Sequence, residues 1–353
     1  MNDIVLIYNW RAESHEPFLR YLNDRSIQYT VIDNPDDGER RYFKWYKIVN
    51  SLECFALAIK ALLVARRSKT IISMCATPGI LAALLKRSDQ KLLVLNLLCH
   101  STDTPNLLEK TRNYIYSRAL NKPNVWATCN AEQDIDKYCS QFNLLSRSSI
   151  IHLPDGIDLE RLSNLHNDID DVAESGTSSQ WHTDVFSCGA SARDWGTLAR
   201  VINDMPLTSF SIVATQGDWK SEYSASNASV RFHIPHDEYL SLLCRSRVVA
   251  LPLNSDATAG LLVMFDAFAN DKCVVITRTK TTEQFIPEWA EELLLVDMGD
   301  AEQMKDKIST LLNMGEWERT AIAREVAGYI ESHFSELERC KAIERIVELM
   351  EEA

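Results

Sequence analysis

The sequence predicts an α/β protein of two doubly wound, Rossmann-like domains that face a cleft. Two observations carry this prediction. Apolar runs of strand length alternate with amphipathic segments of helix length along almost the whole chain, and the alternation occurs once in each half of the 353 residues. Strands that alternate with helices form parallel β-α-β units covered by helices on both faces. The length also exceeds one ordinary domain of about 150 residues.

The first half contains six apolar runs and five amphipathic segments. The predicted strands are 3–8, 29–32, 70–74, 92–98, 125–128 and 149–153. The predicted helices are 14–24, 48–67, 77–87, 105–120 and 130–140.

The second half repeats the scheme. Its predicted strands are 185–188, 209–214, 230–233, 248–251, 273–277 and 293–296. Its predicted helices are 194–204, 236–246, 259–270, 281–288 and 300–313, followed by a helical tail from 316 to the end.

One segment has the composition of a linker: residues 163–180 are polar, acidic and poor in large apolar side chains. We therefore expect an N-terminal domain at 1–160, an acidic polar linker at 161–181 and a C-terminal domain at 182–335. The helix at 336–353 would follow as a separate element that can cross back to the N-terminal domain.

Composition excludes several classes of protein. A net charge of −13 disfavours a nucleic-acid partner, because attraction to phosphate dominates such binding. No apolar run reaches the roughly 18 residues that cross a bilayer, and the chain enters a strand directly, which predicts no signal peptide. The nine cysteines are scattered without a C-x-x-C pair, so we expect buried, reduced thiols, a cytoplasmic location and no metal.

The glycine loops of common nucleotide enzymes are absent. Asn9, Trp10 and Arg11 follow the first strand without a glycine, whereas G-x-G-x-x-G needs glycines for close approach of a pyrophosphate. The P-loop pattern is absent too, and glycine makes up only 11 residues of the chain. NAD-dependent and P-loop enzymes are therefore disfavoured.

A different phosphate seat is present in the second half. The strand 185–188 runs into Gly189, small residues and Arg193, just before a helix. Small residues admit a close approach, a helix N-terminus favours an anion, and a guanidinium binds phosphate through a fork of donors. The alternative is an ordinary strand–turn–helix with a surface arginine.

A second pattern follows at 248–277. The strand ends in Leu251-Pro252-Leu253, a loop leads to Gly260, and the next helix carries Asp266 before Lys272 and the strand from Cys273. This pattern resembles the donor site of GT-B glycosyltransferases, especially family 4. There E-x7-E precedes A-M-A-x-G-K-P-V, and its second acidic residue, here Asp266, holds the ribose hydroxyls.

Three other segments resemble the same family in order and spacing. Residues 151–161 are similar to its I-P-N-G-V-D turn, 186–198 to its F-x-x-G-x-x-x-R-D segment, and 230–240 to a turn whose backbone faces the nucleobase. The resemblance covers residues 92–290. It adds Ile234, Thr258 and Leu261 to the expected donor site of Gly189, Arg193, Gly260 and Asp266.

The chain departs from the family pattern at three places. Thr258 stands where the first Glu of E-x7-E touches the donor sugar or its phosphate. The family's pair of cations on the diphosphate is not cleanly present: Arg193 is the candidate for one, and Arg278 or Lys280 could supply the other. The usual glycine-rich first loop is replaced by Asn9, Trp10 and Arg11, which the resemblance puts on the acceptor side.

Two residues after the strand 92–98 are candidates for catalysis. In the family a histidine often ends this strand and points at the donor sugar, which suggests His100; the alternative is a histidine bonded only to backbone. Asp103 could act as a base toward an acceptor hydroxyl, or could cap the helix that follows Pro105.

Residues 40–47 interleave four basic and four aromatic side chains. Such a strip could contact an anionic membrane at its inner face. The alternative is the start of an amphipathic helix with a solvated basic face.

The resemblance implies an enzyme that moves a sugar from a nucleoside diphosphate sugar to a hydroxyl of a glycan or lipid-linked glycan, in synthesis of cell-surface polysaccharide or glycoconjugate. It also implies hexosyl transfer with a retaining outcome and no metal or other cofactor. Thr258 and the missing glycines motivate one alternative, a catalytically degenerate GT-B protein that binds a glycan or partner.

Overall fold

The structure, a computed structural model, describes residues 4–13, 15–34, 46–65, 70–99, 105–159, 162, 183–256 and 259–352. The chain divides into two compact units. Unit 1 comprises Met1–Gly156 with Glu336–Ala353, and unit 2 comprises Ile157–Ser335. Each unit contains a six-stranded sheet in which every strand pairing is parallel. The doubly wound α/β class predicted from the sequence is confirmed.

Unit 1 is built of alternating strands and helices. The strands are β1 (Ile4–Ile7), β2 (Tyr29–Ile32), β3 (Thr70–Ser73), β4 (Lys91–Val94), β5 (Val125–Cys129) and β6 (Ile150–His152). The helices are α1 (Pro17–Asp24), α2 (Tyr46–Val64), α3 (Ala76–Leu85), α4 (Leu107–Leu120) and α5 (Gln133–Gln141).

The sheet of unit 1 has the strand order β2-β1-β3-β4-β5-β6. The chain winds outward in opposite directions on either side of the β1–β3 pair, so the loops after these two strands diverge at that point. Strand β1 is a fully buried apolar run, and β4 is apolar and buried from Leu92 to Val94, as expected for a parallel sheet covered on both faces.

The C-terminal helix, α12 (Glu336–Glu352), packs in unit 1. Its Ile343 and Val347 are buried in the cluster that contains Ile4 and Leu6 of β1. Glu344 of α12 accepts a hydrogen bond from the Tyr21 hydroxyl of α1. Unit 1 is therefore assembled from both ends of the sequence.

Unit 2 repeats the alternation. Its strands are β7 (Thr183–Gly189), β8 (Phe210–Ala214), β9 (Ala228–Phe232), β10 (Ser246–Leu251), β11 (Cys273–Thr277) and β12 (Leu295–Val296). Its helices are α6 (Trp195–Asp204), α7 (His236–Cys244), α8 (Leu261–Ala269), α9 (Glu288–Leu294), α10 (Ala301–Asn313) and α11 (Glu316–Phe334).

The sheet of unit 2 has the order β12-β11-β10-β7-β8-β9. From β7 the chain moves to one edge through β8 and β9, then returns to β10 and continues to the other edge. The winding direction therefore reverses between β7 and β10. In an open α/β sheet, a crevice forms at the carboxyl ends of the strands at such a reversal.

Two predicted elements differ in the structure, and the helical tail is divided into two helices. The strand predicted at 92–98 ends at Val94, because Asn96 has a φ of +56° and turns the chain. The helix predicted at 281–288 is wrong. A short 3₁₀ turn covers Glu283–Phe285, and α9 begins only after Pro287, which disfavours helix in the residue before it. The helical tail is divided at Ser335, whose ψ of 157° is extended.

Most of the predicted linker 161–181 lies outside the described residues, which include only residue 162 of it. None of the helices in the described ranges is long and apolar enough to span a bilayer. All nine cysteines carry free thiols, and six of them are buried.

Candidate functional site

The loops after β7 and β10 meet at the point where unit 2 reverses its winding. Arg193 and Leu253 form an antiparallel bridge between them. On either side, the amide of Asp194 donates to the Pro252 carbonyl and the amide of Asn254 donates to the Ala192 carbonyl, each at 3.0 Å. The backbone thus joins the two loops into one rigid rim of the crevice.

Gly189 ends β7 and makes room for the side chain of Arg193. Its φ is +128°, a conformation that residues with a Cβ rarely adopt. A Cβ at this position would lie 2.5 Å from Cζ and 2.6 Å from Nε of Arg193. The guanidinium therefore lies directly over the glycine backbone, and any larger residue would displace it.

The Arg193 guanidinium is buried, with only 8% of the residue exposed. Its Nε donates to the Cys188 carbonyl at 2.6 Å and its Nη1 to the Ser191 carbonyl at 3.1 Å. No carboxylate of the described residues forms an ion pair with it. Burial lowers its pKa, yet a guanidinium stays charged in proteins. A surface arginine is thus excluded, and a buried cation without a counterion favours an incoming anion.

The N-terminus of α8 lies beside this cation. Gly260 precedes the helix in the left-handed region, with a φ of +82°, and supplies no capping side chain. A Cβ at Gly260 would lie 3.5 Å from Nη1 of Arg193. Among the described residues no side chain caps the first amides of α8, and these amides lie close to the guanidinium, which is the arrangement that binds phosphate groups at helix N-termini.

The N-terminus of α6, which directly follows Arg193, differs from that of α8. Asp194 caps it, since its carboxylate accepts from the amide of Thr197 at 2.9 Å and from the hydroxyl of the same residue at 2.7 Å. A carboxylate already compensates this helix end. The helix that is open to an anion is α8, which sequence reasoning did not single out for this role.

Asp266 lies on α8 and is held by Tyr239 of α7. The Tyr239 hydroxyl donates to Oδ2 of Asp266 at 2.7 Å. The ring of Tyr239 packs against Phe186 of β7 and His236, with centroid distances of 5.9 and 5.6 Å. The hydrogen bond therefore links α7 to α8 beneath the rim of the crevice.

The environment of Asp266 disfavours its charge. Burial raises the pKa of this carboxyl, and the hydrogen bond from Tyr239 and the nearby His236 only partly offset the effect. Burial also raises the pKa of Tyr239 well above its ordinary value, so its hydroxyl remains a donor. A carboxylate with a raised pKa in a crevice is typical of a functional site.

Three further predicted donor-site residues occupy the same end of the sheet. Ile234 follows β9 and, like Leu261 at the start of α8, is half-buried against the core of unit 2. Lys280 follows β11 and is exposed.

Arg278 also follows β11, but it faces α9. Its Nη1 lies 2.7 Å from a carboxylate oxygen of Glu291 and 3.8 Å from one of Glu283. Of the two candidates for the second phosphate charge, Arg278 is thus engaged by acids of its own unit.

Sequence reasoning missed how the loop after β10 is anchored. The amide of Leu253 donates to the Thr277 hydroxyl at 2.8 Å, and Thr282 in turn donates to the Thr277 carbonyl at 2.8 Å. Both threonines are buried. The threonine-rich segment after β11 was visible in the sequence, but its link to Leu253 depends on the pairing of β10 with β11.

In unit 1, the predicted acceptor-side residues follow β1. Asn9 is half-buried, and its amide nitrogen donates to Asn50 of α2 at 3.2 Å. Trp10 is 36% exposed and donates from its indole to Glu16 at 3.0 Å. Arg11 is exposed.

Several predictions fall outside the described residues: His100, Asp103 and Thr258, and the segment 40–47 except for the backbone of its last two residues. Helix α4, which follows in the chain, is capped by Asn106, which forms a reciprocal capping box with Glu109.

Comparison with a family model adds a sequence match to this geometry. Residues 193–345 match a family described as glycosyl transferase-like. The match begins at the buried arginine and includes Gly260 and Asp266. Among curated proteins, no sequence matches this chain.

Solved structures match over nearly the whole chain. A glycosyltransferase from Rickettsia africae is 12% identical, with a TM-score of 0.66, and the match covers 99% of this chain and 98% of that one. A UDP-forming α,α-trehalose-phosphate synthase from Burkholderia xenovorans is 11% identical, with a TM-score of 0.65 and coverage of 97% and 98%.

HepE from Anabaena, solved in complex with UDP and glucose, is 13% identical, with a TM-score of 0.57 and coverage of 98% and 99%. At these identities the likenesses show a shared fold.

Proposed function

We propose that this chain transfers a sugar from a nucleoside diphosphate sugar to a hydroxyl of a glycan or lipid-linked glycan. The match of residues 193–345 to a family described as glycosyl transferase-like and the GT-B fold of the chain support the proposal. One observation carries the proposal. The guanidinium of Arg193 is buried without an acidic partner among the described residues, over Gly189 and beside the uncapped N-terminus of α8.

The chemistry of sugar transfer explains why a phosphate-binding site at Arg193 and the N-terminus of α8 would be used. When the bond between the anomeric carbon and the diphosphate breaks, negative charge accumulates on the leaving phosphate oxygens. Preorganised donors in a dry site stabilise such charge without reorganising, and this is usually the largest contribution to catalysis. Arg193 and the amides at the start of α8 supply those donors, and Lys280 adds a second cation at the exposed side.

Asp266 completes the proposed donor site as an acceptor for ribose hydroxyls. An ionised carboxylate has only acceptor oxygens, and charged acceptors form the stronger hydrogen bonds. The proposal thus assigns the diphosphate to Arg193 and α8, and the ribose to Asp266 deeper along the same helix.

The acceptor and the stereochemical outcome are the finer parts of the proposal. We assign hexosyl transfer with retention and without a metal, following the family resemblance, and a role in polysaccharide or glycoconjugate synthesis in the cytoplasm. The likeness to HepE, solved with UDP and glucose, makes UDP and UDP-glucose the first ligands to test.

The experiment is a thermal-shift screen with UDP, GDP and ADP. We expect at least one of them to raise the melting temperature, and Arg193→Ala to lose that increase, because the loss of a charged hydrogen-bonding partner weakens binding about tenfold or more. Arg147→Ala is the control, since Arg147 is an exposed arginine that pairs with Asp136 in unit 1.

Turnover is then measured with the corresponding nucleotide sugars, with and without EDTA. Release of the nucleoside diphosphate in the presence of an acceptor extract supports transfer. Failure of all three nucleotides to shift the wild-type protein would refute the proposal, whereas binding without turnover would favour a degenerate GT-B protein that only binds.

A further inference from the structure

Resting on the function proposed above, we propose that Tyr239 is a positioning residue of the donor site, whose hydroxyl fixes one oxygen of Asp266 and directs the other toward the ribose. The bond from Tyr239 to Oδ2 is 2.7 Å long. Oδ1 of Asp266 receives no hydrogen bond from the residues that the structure describes. It is thus the oxygen left for a ligand.

The ring of Tyr239 is itself held in place. It lies between Phe186 of β7 and His236 of its own helix. Cys188 of β7 lies near its hydroxyl, which partly offsets the raising effect of burial on the pKa of that thiol. Because contacts from two elements hold the ring, the direction in which its hydroxyl donates is also fixed.

Asp266 needs such an anchor because it is an aspartate on a helix of small and apolar residues. Its neighbours on the buried face, Phe265 and Ala267, offer no hydrogen-bond donor from their side chains. Without Tyr239, the carboxylate would have fewer stabilising contacts in a half-buried setting and would be free to change rotamer. Precise placement of a binding group commonly depends on a supporting residue of this kind.

Among the residues that the structure describes, the charged and titratable groups that face Asp266 are Tyr239 and His236 from α7 and Cys188 from β7. Tyr239 and His236 both favour the carboxylate form. Removal of the Tyr239 hydroxyl therefore raises the pKa of Asp266 further, so that the form that accepts a ribose hydroxyl is lost at a higher pH.

The test is the variant Tyr239→Phe, which keeps the ring and removes only the hydroxyl. The dissociation constant is measured for whichever of UDP, GDP and ADP binds the wild type best, and for the 2′,3′-dideoxy form of that nucleotide. We expect the variant to bind the ribonucleotide about five- to tenfold more weakly and the dideoxynucleotide with little change, because the hydrogen bond that is lost serves only the ribose.

Two controls separate positioning from folding. Tyr329→Phe on α11 is the matched substitution, since the Tyr329 ring packs on His333 and Phe334 away from Asp266. It should leave both affinities unchanged. The pH dependence of binding is compared between His236→Asn and the double variant His236→Asn with Tyr239→Phe, so that the imidazole beside Asp266 is absent from both. As pH falls, the loss of affinity should begin at a higher pH in the double variant.

Several outcomes would overturn the inference. Equal weakening for ribose and dideoxyribose ligands would indicate a merely structural role. An unchanged affinity for the ribonucleotide, or an unchanged pH at which affinity begins to fall, would contradict a positioning role. If the wild type binds a nucleotide, and Asp266→Asn weakens that binding while Tyr239→Phe does not, the role of Tyr239 is refuted and the proposed function stands. If the wild type binds none of the three nucleotides, the proposed function fails and this inference fails with it.

Discussion

Replacement of Gly189 by alanine introduces one methyl group at the place where the Arg193 guanidinium lies. The new Cβ would be 2.5 Å from Cζ of Arg193, well inside the contact distance of two carbon atoms. The substitution therefore forces either the side chain out of its seat or the loop away from β7. Because the arginine is the more easily moved part, we expect the seat to be lost while the fold survives.

Gly189→Ala lowers the stability of the fold for two reasons: the overlap with Arg193 and the strain of the backbone. A residue with a Cβ at a φ of +128° is strained, and such positions cost about 1–3 kcal/mol. A loss of about 2 kcal/mol lowers the melting temperature of a domain the size of unit 2 by about 4–8 °C. The increase in melting temperature on addition of a nucleoside diphosphate should disappear, which thermal shift measures in the same experiment.

Gly217→Ala is the matched control. Gly217 also has a positive φ, of +99°, but an added Cβ meets nothing within 4 Å. This variant should lose a similar amount of stability and keep the nucleotide-induced increase. The double variant Gly189→Ala with Arg193→Ala should be no less stable than Gly189→Ala alone, because the overlapping group is gone. If Gly189→Ala keeps the full nucleotide-induced increase, the assignment of Arg193 to the diphosphate is refuted.

Two other predictions concern the same site. Asp266→Asn should stabilise the unliganded protein, and more so above the raised pKa of Asp266 than below its ordinary pKa. Burial raises the pKa of Asp266, so between the ordinary and the raised pKa the folded state keeps a proton that the unfolded state releases, and the wild type loses stability as pH rises through that interval. Melting temperatures measured from acid to neutral pH check this prediction, and equal pH slopes for the two proteins would contradict it. Lys280→Ala should weaken nucleoside diphosphate binding several-fold, while Arg278→Ala should leave it unchanged, since Arg278 is paired with Glu291. Calorimetric titration of both variants measures the two affinities. A larger loss of affinity in Arg278→Ala would make Arg278 the second phosphate cation instead of Lys280.

Much of the fold could be predicted from the sequence because parallel strands buried on both faces appear as uninterrupted apolar runs. The strand 273–277 was placed at its observed bounds for this reason. The segment 281–288 failed because its polar and apolar residues fit a helix by periodicity, while Pro287 and the hydrogen bonds of Thr282 decide the local geometry. Periodicity reports only the tendency of a segment to form a helix, whereas the contacts of Thr282 depend on residues outside the segment.

The candidate site was predicted in part. Gly189 and Arg193 were chosen for a close approach to phosphate and Gly260 from the family resemblance, and the structure brings the three together in unit 2. Asp194 caps the helix that follows Arg193. The sequence permits this capping interaction but does not require it. The partnership of Tyr239 with Asp266 joins residues 27 positions apart on two helices, and no local pattern encodes it.

The position of α12 in unit 1 has a consequence for synthesis of the protein. The core that contains Ile4 and Leu6 also needs Ile343 and Val347, so unit 1 cannot complete its packing until Val347 has left the ribosome. Unit 2 is continuous and can be complete earlier, although domains generally fold in order from the N-terminus. Loss of the last twenty residues would therefore expose apolar surface on the part of the protein that was made first.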